Sequence, residues 1–261
     1  MIISHKYKFI FLHSRRTAGN SFSLYFNQFA GESDIIIESW AEILQGGGEV
    51  NREALRRVRR NFGKPRFAAT LLKDLLIHRK MSLAHLLGSS NRFSYYGWNK
   101  LGPNPAHASA WMVQDLFPDE FKSYFKFAFF RDPYEYVVSD YNKKIKQFES
   151  AQVSFDEYLE VMADPDLFAP GIKPTPRTNI DIYTFSKNTM AVDFLGDFSS
   201  LLHDIEKVCN YVGLPFCENS FPHVQKTKSI DSYNFTELQQ SLVERAFHDE
   251  LKFLRRNGCL S

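Results

Sequence analysis

The chain has 261 residues, a formal net charge of +2 and a hydrophobic content of 44%. This length suits one large α/β domain, and no run of about 18 apolar residues is present that could predict a membrane-spanning helix. The three cysteines, Cys209, Cys217 and Cys259, are too few and odd in number for a disulfide framework or a zinc site, so we expect reduced thiols in a cytoplasmic protein.

The first predicted unit is a strand followed by a helix. Apolar residues 9–12 predict a buried strand, and aromatic residues at helical spacing after residue 21 predict a helix that begins near Asn20 or Ser21. The turn between them contains three small residues, Thr17, Ala18 and Gly19. A strand, a tight turn and a helix N-terminus together can bind a phosphate through backbone N–H groups and the helix dipole.

This turn has the spacing of a phosphate loop but not its usual residues. Aligned with G-x-x-x-x-G-K-[ST], residues 14–21 keep only Gly19 and Ser21, and Asn20 takes the place of the lysine. The cations lie inside the loop instead, at Arg15 and Arg16. The sequence therefore argues against ordinary ATP or GTP chemistry and favours a different 5′-anion.

A basic segment follows. Residues 52–80 contain ten Lys or Arg and two acidic residues, a charge of +8, whereas the rest of the chain sums to −6. Two interpretations stay open: a solvated helix face, or a docking surface for an anionic acceptor such as an acidic glycan. Nucleic acid is disfavoured because aromatic residues are not interleaved with the cations. Residues 88–106, rich in Gly, Ser, Asn and Pro, predict a loop.

The second strand-to-helix unit lies at the middle of the chain. Apolar residues 125–130 predict a strand, Arg131 follows it directly, and Pro133 suits the first position of a helix over residues 134–148 that carries Ser139. Side by side, the two strand ends would bind a ligand with two separate phosphates.

The remaining predicted elements complete an α/β pattern. They are helices over 106–117, 201–212 and 234–256, the last capped by Asn234, a strand over 190–195, and a proline-rich loop over 165–176. Strands separated by long helical connections predict a three-layer, P-loop-like α/β fold with a central parallel sheet flanked by helices. We expect a single domain, 1–261, with a variable acceptor-side insertion around 31–105.

Four motifs in order resemble the carbohydrate-type sulfotransferase family, specifically its soluble bacterial members. The loop Phe11-Leu-His-Ser-Arg-Arg-Thr-Ala-Gly-Asn-Ser21 is similar to the family's 5′-phosphosulfate loop, H-x-P-K-T-A-G-T-S. The segment Phe127-Ala-Phe-Phe-Arg-Asp-Pro-Tyr-Glu-Tyr-Val-Val-Ser-Asp-Tyr141 resembles its 3′-phosphate motif. His107-Ala-Ser-Ala110 resembles an H-A-[TS]-A segment, and residues 193–215 resemble the family's late strand and helix.

The resemblance implies the donor 3′-phosphoadenosine 5′-phosphosulfate (PAPS), with 3′,5′-diphosphoadenosine (PAP) as product, a hydroxyl of a glycan, glycolipid or related metabolite as acceptor, and no metal. Arg131 and Ser139 would then bind the 3′-phosphate, and Lys228 lies in a late basic loop that would close over the nucleotide. The residues implied at the 5′ end are Arg15, Arg16, Thr17, Ala18, Gly19, Asn20 and Ser21.

Two residues are implied in catalysis. His107 is the candidate general base, because histidine titrates near neutrality; His13 is its rival, and a carboxylate stays open. Arg16 stands where the family has a lysine that stabilises the leaving group. Arginine supplies charge but cannot give up a proton at a pKa above about 12, so its help would be purely electrostatic.

Two other functions stay open. A P-loop-like nucleotide kinase shares the predicted fold class, although Asn20 counts against it. A non-catalytic PAP- or PAPS-binding module is the second, motivated by Arg16 in place of the lysine. It predicts binding of PAP without transfer to any acceptor.

Overall fold

The computed structural model describes residues 1–78, 81–97, 100–147, 153–164, 166–167, 178–186, 189–222 and 233–260. Its strands are β1 Ile2–Ser4, β2 Phe9–Phe11, β3 Ile35–Ile36, β4 Phe125–Phe130, β5 Thr184–Ser186, β6 Thr189–Met190 and β7 Phe194–Asp197. Its α-helices are α1 Gly19–Asn27, α2 Trp40–Gln45, α3 Arg52–Phe62, α4 Pro65–His78, α5 Leu83–Tyr95, α6 Ala110–Leu116, α7 Pro118–Ser123, α8 Pro133–Gln147, α9 Phe155–Ala163, α10 Ile180–Tyr183, α11 Leu201–Val212, α12 Glu237–Ala246 and α13 His248–Arg256.

The central sheet has the strand order β3-β1-β2-β4-β7. Strands β2, β4 and β7 are parallel, with Phe9 opposite Phe125 and Phe127 opposite Phe194, which confirms the predicted parallel centre. The expectation of a wholly parallel sheet is wrong for β1 and β3, which pair antiparallel. Only residues 5–8 connect β1 to β2, and a parallel crossover needs a dozen residues or more.

Both faces of this sheet are covered by apolar side chains. Successive strand residues point to opposite faces, so Phe9 and Phe127 belong to one core, which includes residues of α1 and α11. Ile10 and Ala128 belong to the other core, which includes residues of α6 and α13. The apolar sequences of β2 and β4, interrupted only by Lys126, follow from this two-sided burial.

Three sequence-based boundaries are wrong. The loop predicted over 88–106 begins only after Tyr95, because α5 extends that far. The helix predicted over 106–117 is a short 3₁₀ turn, Pro105–His107, followed by α6, since Ala108 has an extended backbone. The final helix is two helices that meet at Phe247, and Thr236, not Asn234, caps the first of them through a reciprocal bond with Gln239.

Other boundaries agree more closely. Helix α8 starts at Pro133, as predicted for the first helical position, and α11 has the predicted bounds. The strand predicted over 190–195 is instead divided: Met190 ends β6, β7 begins at Phe194, and residues 191–193 belong to neither strand. The predicted proline-rich loop over 165–176 falls almost entirely outside the described residues.

Candidate active site

The three parallel strands end at one edge of the sheet. After β2 the chain forms the loop of residues 12–18. After β4 it reaches Arg131, and after β7 it forms a 3₁₀ turn that starts at Phe198. These segments border one cleft of about 280 Å³. Ligands of α/β sheets bind at this edge. The cleft is lined by His13, Arg15, Arg16, Thr17, Ala18, Gly19, Asn20, Ser21, Asn104, His107, Arg131, Ser139, Asp140, Lys143 and Phe198.

A larger groove of about 500 Å³ lies elsewhere, between α1 and the turn at residues 46–48. The described residues that line it include no lysine, arginine or histidine. An anionic ligand would find no cation there, so the cleft at the strand ends is the better candidate for anion binding despite its smaller volume.

The loop before α1 has a strained backbone. Arg16 and Ala18 have φ angles of 66° and 54°, in the left-handed region that costs a non-glycine residue roughly 1 kcal/mol. The Thr17 hydroxyl donates to the Ser14 carbonyl at 2.8 Å and closes the turn. A Cβ atom at Gly19 would lie 1.8 Å from His13 Nε2, so only glycine fits where α1 begins. The loop therefore presents the helix N-terminus to the cleft.

Arg16 and Arg131 connect the two strand-to-helix units. The Arg16 guanidinium donates to Ser139 Oγ at 2.6 and 3.1 Å and to the Ser139 carbonyl at 2.8 Å. Arg131 donates to the Arg16 carbonyl at 3.2 Å and to Glu135 at 3.2 Å, and it stacks on the Phe198 ring at 4.3 Å. Burial lowers the pKa of both guanidinium groups, which stay charged at neutral pH.

Arg15 provides a further cation. Its Nε atom is buried and has no hydrogen-bond partner within the described part of the chain. Burial lowers the pKa of this guanidinium, and Tyr136, Asp140 and Glu250 raise it again. An unpaired buried donor is costly, so a ligand acceptor at this position would relieve the cost.

Asn179 holds the backbone of the loop in place. Its side-chain oxygen accepts from the Arg15 N–H at 2.8 Å, and its side-chain nitrogen donates to the Arg15 carbonyl at 3.2 Å. The Asn179 backbone N–H donates to Glu250 at 3.0 Å, and the Tyr183 hydroxyl donates to the other Glu250 oxygen at 2.5 Å. Sequence reasoning missed Asn179 and Glu250, because neither lies in a recognisable motif.

Two histidines lie in contact at the other side of the loop. His13 Nδ1 bonds the Glu38 carboxylate at 2.9 Å, and Glu38 also accepts from the Met1 amino group. His107 Nδ1 lies 2.8 Å from the His13 carbonyl, and the two rings are 4.4 Å apart. Since a carbonyl only accepts, His107 Nδ1 carries the hydrogen and its Nε2 keeps a free lone pair.

The environment of His107 sets its charge. Burial, with His13 and Arg15 as neighbours, lowers the pKa of His107 well below its usual value of 6.5. Burial also lowers the pKa of His13, against the opposing effect of Glu38. His107 is therefore neutral at neutral pH and can accept a proton.

The structure brings together most of the residues that sequence analysis selected. The predicted loop residues Arg15 to Ser21 line the same cleft as His107, Arg131 and Ser139. Lys228 lies outside the described residues. Asn104, Asp140, Lys143 and Phe198 also line the cleft and were not predicted; Phe198 could have been found, since it closely follows the strand predicted over 190–195.

The pKa of Glu250 leads to a testable stability change. Burial raises it from the ordinary 4.5 to about 7. Between these values the folded chain binds more protons than the unfolded chain, so the free energy of unfolding falls as pH rises from 4.5 to 7. A shift of this size corresponds to about 3 kcal/mol.

Glu250→Gln keeps an acceptor for the Tyr183 hydroxyl but cannot titrate, so we expect it to remove this pH dependence. Urea unfolding at pH 5 and pH 7.5 measures it for both proteins. The loss of stability between the two pH values should be about 2 kcal/mol smaller in the variant, because pH 5 already lies above the ordinary pKa of 4.5. An equal loss in both proteins would show that Glu250 is ionised throughout this range.

An α/β sheet with a cationic cleft at the carboxyl ends of its parallel strands is typical of proteins that bind an anionic ligand at that edge. Residues 1–256 match the family described as Sulfotransferase family, so the chain belongs to the sulfotransferase family. This confirms the resemblance to carbohydrate-type sulfotransferases that four motifs carried in the sequence. No curated protein and no solved structure shows a significant match.

Membership supports a transferase that moves sulfuryl groups, and the family generally uses PAPS as donor. Among the described residues, no helix is both long and apolar enough to cross a bilayer. The described residues also include no group of three or more His, Cys, Asp or Glu side chains placed to hold a metal ion.

Proposed function

We propose that the chain transfers a sulfuryl group from PAPS to a hydroxyl of a glycan, glycolipid or related metabolite. One observation carries this proposal: the loop residues 15–21, Arg131 and Ser139 border one cleft. PAPS carries a 5′-phosphosulfate and a separate 3′-phosphate, so it needs two anion sites joined by one cavity.

The residues present fit this donor. At the 5′ end, the start of α1 offers backbone N–H donors, and Arg15 lines the cleft as a further cation. At the 3′ end, the two Arg16 bonds to the Ser139 side chain use Oγ as acceptor, so the Ser139 hydroxyl hydrogen is left to donate to a phosphate. Arg131 adds a planar fork of donors beside it.

Bound PAPS supplies the sulfuryl group, and PAP leaves. His107 Nε2, with its free lone pair, takes the proton of the acceptor hydroxyl as the oxygen reaches sulfur. The Asn179 clamp keeps the Arg15 backbone fixed and so preserves the shape of the loop. Arg16 contributes positive charge without a proton transfer.

The proposal also covers the fold, the acceptor-side insertion and the location of the protein. We interpret the sheet with apolar cores on both faces as a three-layer, P-loop-like domain, with residues 31–105 as an acceptor-side insertion. Helix α5 of this insertion contacts the 3₁₀ turn that carries His107. Three free cysteines favour a reducing, cytoplasmic location.

A thermal-shift titration with PAP, ATP and GTP tests the donor. PAP at a hundredfold excess over its Kd should stabilise the fold by about 2.7 kcal/mol. ATP and GTP lack a 3′-phosphate and should give much smaller shifts at equal concentration. A response to ATP alone would contradict the proposal and favour a nucleotide kinase.

The second candidate is binding of PAP or PAPS without transfer. The contact of Arg16 with Ser139 favours it, because Arg16 is already engaged and cannot protonate a leaving group. A panel of hydroxylated acceptors with sulfur-labelled PAPS separates the two candidates. Label in any acceptor excludes the non-catalytic module.

A further inference from the structure

The surface of α3 and α4 is unusual in exposing apolar and basic side chains together. Seven of the fourteen large apolar side chains that are exposed in the described part of the chain lie between residues 55 and 83. They are Leu55, Phe62, Leu72, Leu75, Leu76, Met81 and Leu83. We call this surface, with the exposed cations Arg56, Arg59, Lys64, Arg66 and Lys73, the basic–apolar face.

Helix α4 has two apolar sides. Phe67 and Leu71, four residues apart, are buried against the protein. Leu72, Leu75 and Leu76 follow the helical i, i+3, i+4 spacing on an adjacent side and are exposed, Leu76 to 73%. The α4 cations lie beside this second stripe, because Lys73 follows Leu72 directly. Helix α4 therefore presents an apolar stripe to solvent as well as one to the core.

Helix α3 continues this pattern. Its buried side includes Val58, and Arg57 is held inside by the Asn91 side chain and the Tyr95 ring. Leu55, Arg59 and Phe62, at spacings of four and three residues, lie on its exposed side. Helices α3, α4 and α5 pack on one another, so these exposed apolar and basic side chains lie on neighbouring helices.

We propose that the basic–apolar face binds the surface of an anionic lipid bilayer. Residues 52–80 carry +8 in a chain whose remainder carries −6, so the excess positive charge that would attract anionic headgroups lies in this region. Leucine and phenylalanine side chains beside the cations would insert at the headgroup–acyl boundary, as in amphipathic helices that lie in the interface.

Other occupants fit the surface less well. An acidic glycan or a nucleic acid would pair with the arginines and leave Leu72 and Leu76 in water. A second copy of the chain docked on the same face would bring two surfaces of high positive charge together. A bilayer satisfies both the charges and the apolar side chains. The proposal concerns binding alone and does not depend on the proposed sulfuryl transfer.

Flotation of the full chain with lipid vesicles tests this proposal. We expect binding to vesicles that contain 40% phosphatidylglycerol and not to pure phosphatidylcholine. Binding should weaken by more than about tenfold when salt rises from 50 to 500 mM, because exposed charges are screened. Leu76→Trp should show blue-shifted fluorescence on the anionic vesicles, which reports insertion of this position.

Two double variants separate the contribution of the positive charges from that of the apolar side chains. Arg59→Glu with Arg66→Glu, and Leu72→Ser with Leu76→Ser, should each weaken vesicle binding by about tenfold or more. Leu238→Ser, on α12, removes an equally exposed leucine from another surface and should change nothing. Circular dichroism melting confirms that these surface variants fold.

Three results would overturn the proposal. One is absence of binding to anionic vesicles by the intact chain. The second is binding that the leucine variants leave unchanged, which would indicate a purely electrostatic surface for a soluble polyanion. The third is a stable dimer in sedimentation velocity that the leucine variants dissociate, with no vesicle binding, which would assign the face to a second copy.

Discussion

Arg131→Ala is expected to lower the affinity for PAP by at least about 100-fold. A guanidinium that donates two charge-assisted bonds to a phosphate contributes roughly 1.5–3 kcal/mol through each. Its removal would also leave Glu135 without its partner at the edge of the cleft, where the carboxylate would repel the incoming 3′-phosphate. Isothermal titration calorimetry with PAP measures the change directly.

The controls distinguish the charge of Arg131 from its shape. Arg131→Lys keeps the charge but loses the fork of donors and the stacking on Phe198, so an intermediate affinity is expected. Arg245→Ala removes an exposed arginine of α12 and should leave binding intact. Unchanged PAP affinity in a folded Arg131→Ala protein would show that the 3′-phosphate binds elsewhere.

The parts of the fold that sequence analysis predicted correctly are locally determined. Strand β4 is an apolar run interrupted only by Lys126 and followed directly by Arg131. Pro133 starts α8 because its missing N–H costs nothing at the first helical position. Helix α11 ends at Gly213, which adopts the left-handed conformation that favours glycine. Each signal lies within a few residues of the feature that it predicts.

The incorrect predictions concern competition between local signals. Glycine, serine and asparagine around residues 88–91 favour a loop, but Ser90 and Asn91 are buried and bond Asn61 and Arg57 of α3. Tertiary contacts therefore extend α5 through residues of low helix propensity. At the C-terminus, Asn234 and Thr236 both fit the capping-box pattern, because Glu237 and Gln239 follow them by three positions. In the structure Thr236 and Gln239 form the box.

The candidate site likewise contains residues that could be selected from the sequence and residues that could not. The loop, Arg131 and Ser139 could be selected from the sequence because the rule that parallel strands end together brings distant motifs to one edge. Asn179 could not be selected from the sequence, since both of its partners are distant. Arg15 lies 164 residues before it and Glu250 lies 71 residues after it. A single asparagine that bonds a backbone carries no signal in a sequence, although it fixes the loop as firmly as the loop's own turn.

His107→Ala is expected to lower turnover by at least about 100-fold while PAP affinity is retained, because general-base catalysis contributes about 10²–10⁴-fold. The lowered pKa of His107 adds a pH signature. The imidazole is already neutral well below pH 6.5, so turnover of the intact protein should be flat from pH 6.5 to 8 and fall only in more acidic solution. Single-turnover kinetics across this range measures both effects.

A second substitution decides whether His107 transfers a proton or only positions the loop. Asparagine can replace the Nδ1 hydrogen bond to the His13 carbonyl but cannot act as a base near neutral pH. If His107 is the base, His107→Asn and His107→Ala should be equally slow. Recovery of turnover in His107→Asn would instead mean that the hydrogen bond to the loop is what matters. His13, with its Nδ1 bonded to Glu38 and its ring against Gly19, would then become the first residue to test as base.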